Sequence, residues 1–525
     1  MTDHRNGGAA VVETLAAHGV DTLFGIPGTH NLELYRHFEA NGVRAITPRH
    51  EQGAGYAAEA YARVSGRPGV VVTTSGPGLT NAMTAAATAY AESQPVLLVS
   101  SGMPTGAEGL DLGQLHEAKN VSGAMDQLVA WSRRVGSADE AASAVTDAFS
   151  GFTGRRPRPV HIEIPVDVLE QQWSGEPRID AATAPPVADR DVVRRSAELL
   201  AGADRPLIIA GGGAVDAQTE LTALAEALGA PVATTVNGKG TLDEAHRLSV
   251  GASVRLRALQ DAAADSDALL VVGTELGDSD LWEGQIRGRT VIRCDIESGQ
   301  LNKNCRADHA LLGDSADTLT ALLEALPTRA GGGEQRAAEL RAACMGESAG
   351  DAGLYAEINA AVRGALPADA ALAGDSSQVT YFGSVHYFDV PAPRRFCYSP
   401  GFATLGYGLP AGLGAAIGRP GAPAAVLLGD GALMFSVQEL TTLVEQRLSV
   451  PVIVVDSGGY REIQDQEAAR GIPPIGVRLR TPDLAPLAVA MGANGVRTTS
   501  IADLPELVGA ALGADGPTLI HFDIR

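Results

Sequence analysis

The stretch AAVLLGDGA, Ala424 to Ala432, is an apolar run that ends on an acid between two glycines, Gly429, Asp430 and Gly431. A helical pattern follows, Gln438 to Arg447, and then a second apolar run, Pro451 to Val455, which ends in Asp456-Ser457-Gly458-Gly459-Tyr460. Strands that read as unbroken apolar runs are covered on both faces, which describes a parallel sheet between helices. Ser457 lies 27 residues beyond Asp430, enough for one crossover helix, so the two strand ends are expected side by side. Glycines at such an end let the backbone approach a phosphate, the next helix offers free N–H groups, and Asp430 is a hard oxygen donor for Mg²⁺ bridging protein to diphosphate. An ordinary tight turn carries the same GDG letters, so the reading leans on the neighbouring strand as well.

Outward from this stretch the pattern repeats. Val70 to Thr74, Val96 to Ser100, Pro206 to Ala210 and Ala268 to Val272 are β-branched runs alternating with Ala-rich segments of helical period. Two breaks interrupt it: Gln171 to Arg190 loses periodicity and gathers Pro, Ala and Asp, and Pro327 to Arg336 contains three consecutive glycines. The fold class is therefore α/β, with three doubly wound parallel-sheet domains predicted at 1–172, 188–328 and 345–525 and ligand groups at the carboxyl ends of their strands. No short-period repeat is visible, which leaves open that the first and third segments are similar folds.

Composition narrows the function classes. Lys plus Arg number 40 against 62 Asp plus Glu, and the net charge of −22 disfavours nucleic acid and anionic membranes as partners. Only 19% of residues are charged while 45% are hydrophobic, so the acid excess belongs to a globular chain and not to a disordered tail. Cys294, Cys305, Cys344 and Cys397 show no CxxC spacing, and free buried thiols are expected in place of a zinc site or disulfides. The N-terminus is polar without an apolar signal core, so a soluble, cytoplasmic protein is expected.

Further motifs lie in the first and third segments. Val43 to Thr47 leads into Pro48-Arg49-His50-Glu51-Gln52-Gly53-Ala54 and an Ala-rich helix through Arg63; FGIPGTH, Phe24 to His30, and TSGPGLTN, Thr74 to Asn81, are glycine-proline loops; SPGFATLGYGLP runs from Ser399 to Pro410. Together with the GDG turn these resemble the thiamine diphosphate-dependent 2-oxo acid decarboxylase and acetolactate synthase superfamily, over nearly the whole chain.

The resemblance implies a pyrimidine-binding, a central and a diphosphate-binding domain, with thiamine diphosphate and Mg²⁺ as cofactors. Asp430, the Ser457 side chain and the Gly459 carbonyl become the metal ligands, with Gly429, Gly431, Ala432, Gly458 and Tyr460 around the diphosphate. Glu51 becomes the catalytic glutamate, because a carboxylic acid against the pyrimidine ring nitrogen stabilises the imino tautomer that removes the thiazolium proton. A first-turn acid complementing a helix dipole is its plainer reading. Pro27 and Gly28 fall near the substrate, Thr74, Gly76 and Asn81 near the pyrimidine. Leu405 falls under the cofactor, forcing its bent shape, and the Ala403 carbonyl accepts from its amino group. One departure stands out: Asp456-Ser457 occupies the place of the family's usual Asn pair. A serine hydroxyl is a shorter and weaker donor, so a water intervenes or affinity drops, and Asp456 compensates only if the strand end twists.

Because the family's two half-sites meet across a dimer interface, a homodimer or homotetramer is implied, acting on a small-molecule 2-oxo acid. Gly211-Gly212-Gly213 follows a strand of the middle segment, but no GxGxxG with an acidic partner accompanies it, so FAD, which some acetolactate synthases hold there, is not expected. All members release carbon dioxide from a 2-oxo acid to leave an enamine. Its protonation gives an aldehyde, and a second carbonyl gives the hydroxyketone of a carboligase such as acetolactate synthase. Pro48 to Gly55, Arg156 to Pro165, Gly273 to Asp278 and Tyr460 to Ile463 look closer to the 5-guanidino-2-oxopentanoate decarboxylase group. Glu462 there suits a cationic guanidinium tail or a proton shuttle, against the plainer reading of a surface acid at a helix start. His116 and His30 are candidates for proton transfer, each equally readable as an exposed histidine. A third reading, a degenerate non-catalytic binding subunit, rests on Ser457 alone and is opposed by the presence of Glu51, Asp430 and Leu405.

Overall fold

The computed structural model describes residues 5–327 and 332–525, so part of the predicted break at Pro327 to Arg336, and residue 328 at the end of the predicted middle domain, lie outside the described residues. Among the described residues, eighteen strands form three six-stranded sheets. The first holds β1 (Thr22–Gly25), β2 (Arg44–Ile46), β3 (Gly69–Thr73), β4 (Val96–Gly102), β5 (Ser132–Arg134) and β6 (Val160–Pro165). The second holds β7 (Pro206–Ala210), β8 (Val232–Thr234), β9 (Ser249–Gly251), β10 (Ala268–Val272), β11 (Val291–Asp295) and β12 (His309–Leu312). The third holds β13 (Ala371–Gly374), β14 (Phe396–Cys397), β15 (Ala424–Gly429), β16 (Pro451–Asp456), β17 (Asn494–Thr498) and β18 (Thr518–Asp523). Every ladder is parallel, as the unbroken apolar runs predict.

Strand order separates the sheets into two kinds. The first runs β2-β1-β3-β4-β6-β5 and the third β14-β13-β15-β16-β18-β17, the same order counted from each sheet's own first strand. The second runs β12-β11-β10-β7-β8-β9, the dinucleotide-type order. Both faces of that middle sheet are covered: Ile208 and Ala210 of β7 join one apolar cluster, Leu207 and Ile209 the other. The glycines after β7 serve close packing, since a side chain on Gly211 meets Thr274 at 2.4 Å and one on Gly213 meets Gly273 at 2.9 Å. All four cysteines are buried and free. Among the described residues no helix is long and apolar enough to cross a membrane.

Contacts group the chain into two compact units. One consists of the chain through Thr183 with Phe402–Pro420 and Ser436–Leu448; the other of Ala184–Gly401, Gly421–Phe435 and Ser449–Arg525. Two helices of the third segment thus belong to the first unit. Helix Gly408–Gly418 lies against helix Glu51–Ser65, so close that a side chain on Gly414 meets the Ala57 carbonyl oxygen at 2.1 Å. The contact is sealed by polar groups taken out of water: Tyr407 donates to Glu59 at 2.5 Å, and Arg63 donates to the same carboxylate at 2.6 Å. The helical pattern at Gln438 to Arg447 becomes a 3₁₀ turn, Val437–Glu439, and a short helix, Leu440–Glu445. It stops early because Arg447 takes a left-handed backbone (φ 51°) and Leu448 N–H returns to the Leu443 carbonyl at 3.1 Å.

Gly414→Val forces a branched side chain into this helix contact, where backbone and not a flexible side chain stands in the way. Overpacking of this kind costs about 1–3 kcal/mol. Urea denaturation of the variant is expected to show a lower midpoint by that amount, and an unchanged midpoint contradicts the packing described.

Candidate active site

The ladder between β15 and β16 places Gly429 opposite Val455, so the residues that follow emerge together. Asp430, 1% exposed, accepts at one oxygen from Ser457 N–H (3.2 Å) and from the Ser457 hydroxyl (3.4 Å), and at the other from Thr481 Oγ1 (2.8 Å). Burial, opposed by the Thr481 hydroxyl, pushes its carboxyl up from the ordinary value. Gly431 has no side chain where the Tyr460 ring passes at 2.9 Å and the Gly459 oxygen lies at 3.4 Å. Gly458 and Gly459 have φ of 85° and 135°, so only glycine turns here without strain. The turn is pinned by Tyr460 N–H to the Val477 carbonyl (2.9 Å) and Leu479 N–H to the Gly458 carbonyl (3.1 Å), in the segment that also carries Thr481.

Asp456 does not join this cluster. One of its oxygens accepts from Gly458 N–H at 3.0 Å, and the other meets His521 Nε2 at 2.9 Å on β18, both side chains being buried. Asp456 and Ser457 meet different partners, as successive strand residues on opposite faces do. Asp456 therefore braces the loop that holds Ser457 and leaves Ser457 as the side chain facing Asp430.

The neighbouring strand β13 completes this end of the sheet. Strand order reverses between β13 and β15, the position at which doubly wound sheets open a crevice. Ser377 follows β13 and accepts from Gly429 N–H at 3.1 Å; next to it, Gln378 donates to Glu462 at 3.0 Å. Glu462, in helix Arg461–Ala469, also accepts from Tyr381 OH (3.2 Å) and Gln466 (2.9 Å). It is a half-buried, oriented carboxylate and not a loose surface acid.

In the first unit the same reversal occurs between β1 and β3. Pro27 and Gly28 follow β1, and Gly28 packs where a side chain would meet Thr74 at 2.8 Å. His30 Nδ1 lies 2.6 Å from Ser75 Oγ, which lies 3.2 Å from His116 Nδ1. One hydroxyl proton serves only one imidazole, so the other ring must present an N–H, and the two histidines form a chain able to pass a proton. Burial and then His116 hold His30 below its ordinary pKa. Gly76, at φ 57°, lets the His116 carbonyl approach to 2.5 Å from where a side chain would start.

Glu51 opens helix Glu51–Ser65, whose N-cap His50 accepts from Gln52 N–H at 3.1 Å. Asn81 donates to Glu51 Oε2 at 3.0 Å, while Oε1 faces Gly78, which has no side chain to cover it. The loop ahead of Glu51 is held by Glu439: fully buried, it accepts from the N–H groups of Arg49 (3.0 Å) and His50 (3.1 Å) and from the Thr442 hydroxyl (2.7 Å). Burial pushes the Glu439 carboxyl up and the Arg49 N–H pulls it back. Ala403 adopts φ 50°, a left-handed backbone for a non-glycine residue, and Leu405 is half-buried beside Thr404, whose hydroxyl meets Tyr56 OH at 2.7 Å.

Sequence reasoning missed Thr481, His521, Ser75 and Glu439. Thr481 and His521 are ordinary polar residues with no pattern around them, and Ser75 lies inside the loop Thr74 to Asn81 between the residues singled out there. Glu439 carries a signal: it shares a helical face with Thr442 and Leu443, an acid on a side that should be buried. The expected cofactors fit what is present. A buried carboxylate, a hydroxyl and a carbonyl converge beside Gly431, a donor set for a hard divalent cation, and the buried Thr74 hydroxyl has no hydrogen-bond partner at the expected pyrimidine end.

Glu439→Gln replaces an acceptor-only carboxylate by an amide whose NH₂ faces backbone donors. A buried hydrogen bond lost this way costs about 1–3 kcal/mol. Thermal unfolding at a lower temperature than the parent, with faster hydrogen exchange of the Arg49 to Glu51 loop amides, is the expected result; full parental protection of that loop contradicts the clamp.

Comparison with known proteins adds an independent line. Residues 5–128 match the thiamine pyrophosphate enzyme N-terminal TPP binding domain, 193–322 the central domain and 376–522 the C-terminal TPP binding domain. The chain is 40% identical to a probable 2-ketoarginine decarboxylase of Pseudomonas aeruginosa, covering 98% of this chain and 93% of that one. It is 33% identical to the acetolactate synthase large subunit of Parasynechococcus marenigrum, over 99% and 88% of the two chains. It is 31% identical to the acetolactate synthase isozyme 2 large subunit of Escherichia coli, over 99% and 95%. With three domain matches in sequence order, and the first and third sheets sharing one strand order while the second has another, the chain belongs to the thiamine pyrophosphate enzyme family.

Proposed function

We propose that this chain is a thiamine diphosphate- and Mg²⁺-dependent decarboxylase that converts a 2-oxo acid with a cationic, guanidino-type tail into an aldehyde and carbon dioxide. The observation that carries the reading is Glu462: a carboxylate oriented by Gln378 and Tyr381 and linked through Ser377 to the GDG turn at Gly429. A carboxylate fixed in this way selects a positive tail by a charge-assisted pair, and the relative in Pseudomonas is named for a guanidino 2-oxo acid. The matches to acetolactate synthases favour a carboligase as the second reading.

Thiamine diphosphate, when bound, supplies the electron sink for the pair released with carbon dioxide. Asp430, the Ser457 hydroxyl and the Gly459 carbonyl hold the cation that offsets the diphosphate charge, and Gly429, Gly431, Ala432, Gly458 and Tyr460 shape the wall around it. Glu51 holds a proton at Oε1, the oxygen left open by Gly78, while Asn81 fixes the other oxygen. Pro27, Gly28, Thr74 and Gly76 would line the pyrimidine and substrate end, and Leu405 and the Ala403 carbonyl would hold the cofactor between its two ends. The His30, Ser75 and His116 chain delivers the proton that makes the product an aldehyde. The two half-sites are assigned to a homodimer or homotetramer in the cytoplasm.

A panel of 2-oxo acids incubated with cofactor and Mg²⁺ tests the reaction. Carbon dioxide with an aldehyde of matching mass from 5-guanidino-2-oxopentanoate is expected, whereas a condensed hydroxyketone from pyruvate as the main product establishes the carboligase instead. Glu51→Gln is expected to bind cofactor normally and lose ~10²- to 10⁴-fold in turnover. In Asp430→Ala, calorimetry is expected to find no Mg²⁺-dependent cofactor binding; parental affinity there removes the metal assignment.

A further inference from the structure

Trp282 is conspicuous for what it does not do. The chain leaves the short helix Asp278–Leu281 and places Trp282 at φ 47° and ψ 65°, a left-handed conformation that is unfavourable for a large side chain. Its N–H is held on the Asp278 carbonyl at 2.8 Å, and Glu283 follows at φ 63°. Such a backbone persists where the surroundings impose it, and core packing is not the reason here, because the indole remains 45% exposed.

Its contacts show where the ring belongs. Tyr381 and Phe382 meet it edge-on, with centroids 5.9 and 5.8 Å away, and meet each other at 4.7 Å. Tyr381 is the residue whose hydroxyl donates to Glu462. The Arg255 guanidinium already lies 4.5 Å from the indole centroid, held from behind by His386 Nε2 at 2.9 Å. One part of the ring thus holds a planar cation, and the exposed remainder stands one aromatic ring away from an oriented carboxylate.

The geometry points to Trp282 as the aromatic wall of the substrate-tail subsite, its exposed indole surface stacking on the planar cation that Glu462 pairs. This rests on the reading of Glu462 as the tail-binding carboxylate. An ammonium tail would satisfy Glu462 equally well; the flat indole adds a preference for guanidinium, which stacks on aromatic faces as well as pairing with carboxylates. Gln378 and Tyr381 are then positioning residues that aim Glu462.

The test uses the full chain with thiamine diphosphate and Mg²⁺, and compares parent, Trp282→Leu, Trp282→Phe and Glu462→Gln. The first readout is the ratio of kcat/KM for 5-guanidino-2-oxopentanoate to that for 2-oxohexanoate, whose tail is uncharged. The second is calorimetric binding of 5-guanidinopentanoate, which cannot be decarboxylated. Trp282→Leu is expected to lower the ratio and the guanidino affinity by about tenfold, with Phe recovering part of both. A fall in both substrates alike shows a structural role and overturns the proposal, as does unchanged binding by the Leu variant. If Glu462→Gln loses the preference and Trp282→Leu keeps it, this inference fails while the function stands. If the parent binds no guanidino compound, both fail.

Discussion

Asp430 is held out of water at the end of a parallel strand because the ladder sets Gly429 opposite Val455. Taking a carboxylate out of water is costly unless charge or hydrogen bonds compensate, and the donors supplied here are one backbone N–H and two hydroxyls. Much of the third sheet's carboxyl end follows from that requirement. Glycines at 458 and 459 make the turn that brings a carbonyl to the same place, and Thr481 arrives on a segment pinned to that turn. Asp456, one residue from Ser457, is turned away and paired with His521. Keeping the second acid on the opposite face prevents two carboxylates from competing at one point, since like charges at close range cannot both ionise cheaply.

Sheets of identical order each carry a polar cluster, each at its own reversal of strand order. In the first unit the reversal brings together the loops after β1 and β3, and in the second the loops after β13 and β15. The chemistry placed there differs. The first collects imidazoles around a hydroxyl, His30, Ser75 and His116; the second collects acids and oxygen donors, Asp430, Ser457 and Glu462. One strand order thus carries two different sets of polar groups, and the difference lies in a few loop residues.

Positioning is achieved largely by buried acids. Glu439 fixes the backbone ahead of Glu51, Glu59 joins Arg63 and Tyr407 across a helix contact, and Asp456 fixes the turn after Ser457. Each is satisfied by several donors, which is the condition for a buried carboxylate to rigidify its surroundings and not weaken them. Trp282 is the counterpart on the exposed side, a ring held in an unfavourable backbone where it covers little of the core.

The sequence by itself determined several of the central strands, the parallel arrangement and the meeting of Asp430 with Ser457. Apolar runs such as Pro206 to Ala210 and Ala268 to Val272 coincide with β7 and β10, because burial on both faces leaves a mark on every residue of a strand. Asp430 and Ser457 are joined by one crossover, whose handedness and length leave a single placement. What only the tertiary structure decided are pairings across long stretches of chain. Glu439 and Arg49 are separated by 390 residues, Asp456 and His521 by 65, and no periodicity connects them. The single hydroxyl joining His30 to His116, the side of the strand taken by Asp456 and the left-handed backbone of Trp282 belong to the same class. Hydrophobic period reports how often a residue meets the core, whereas a hydrogen-bond partner is chosen by the direction in which folded elements bring their side chains.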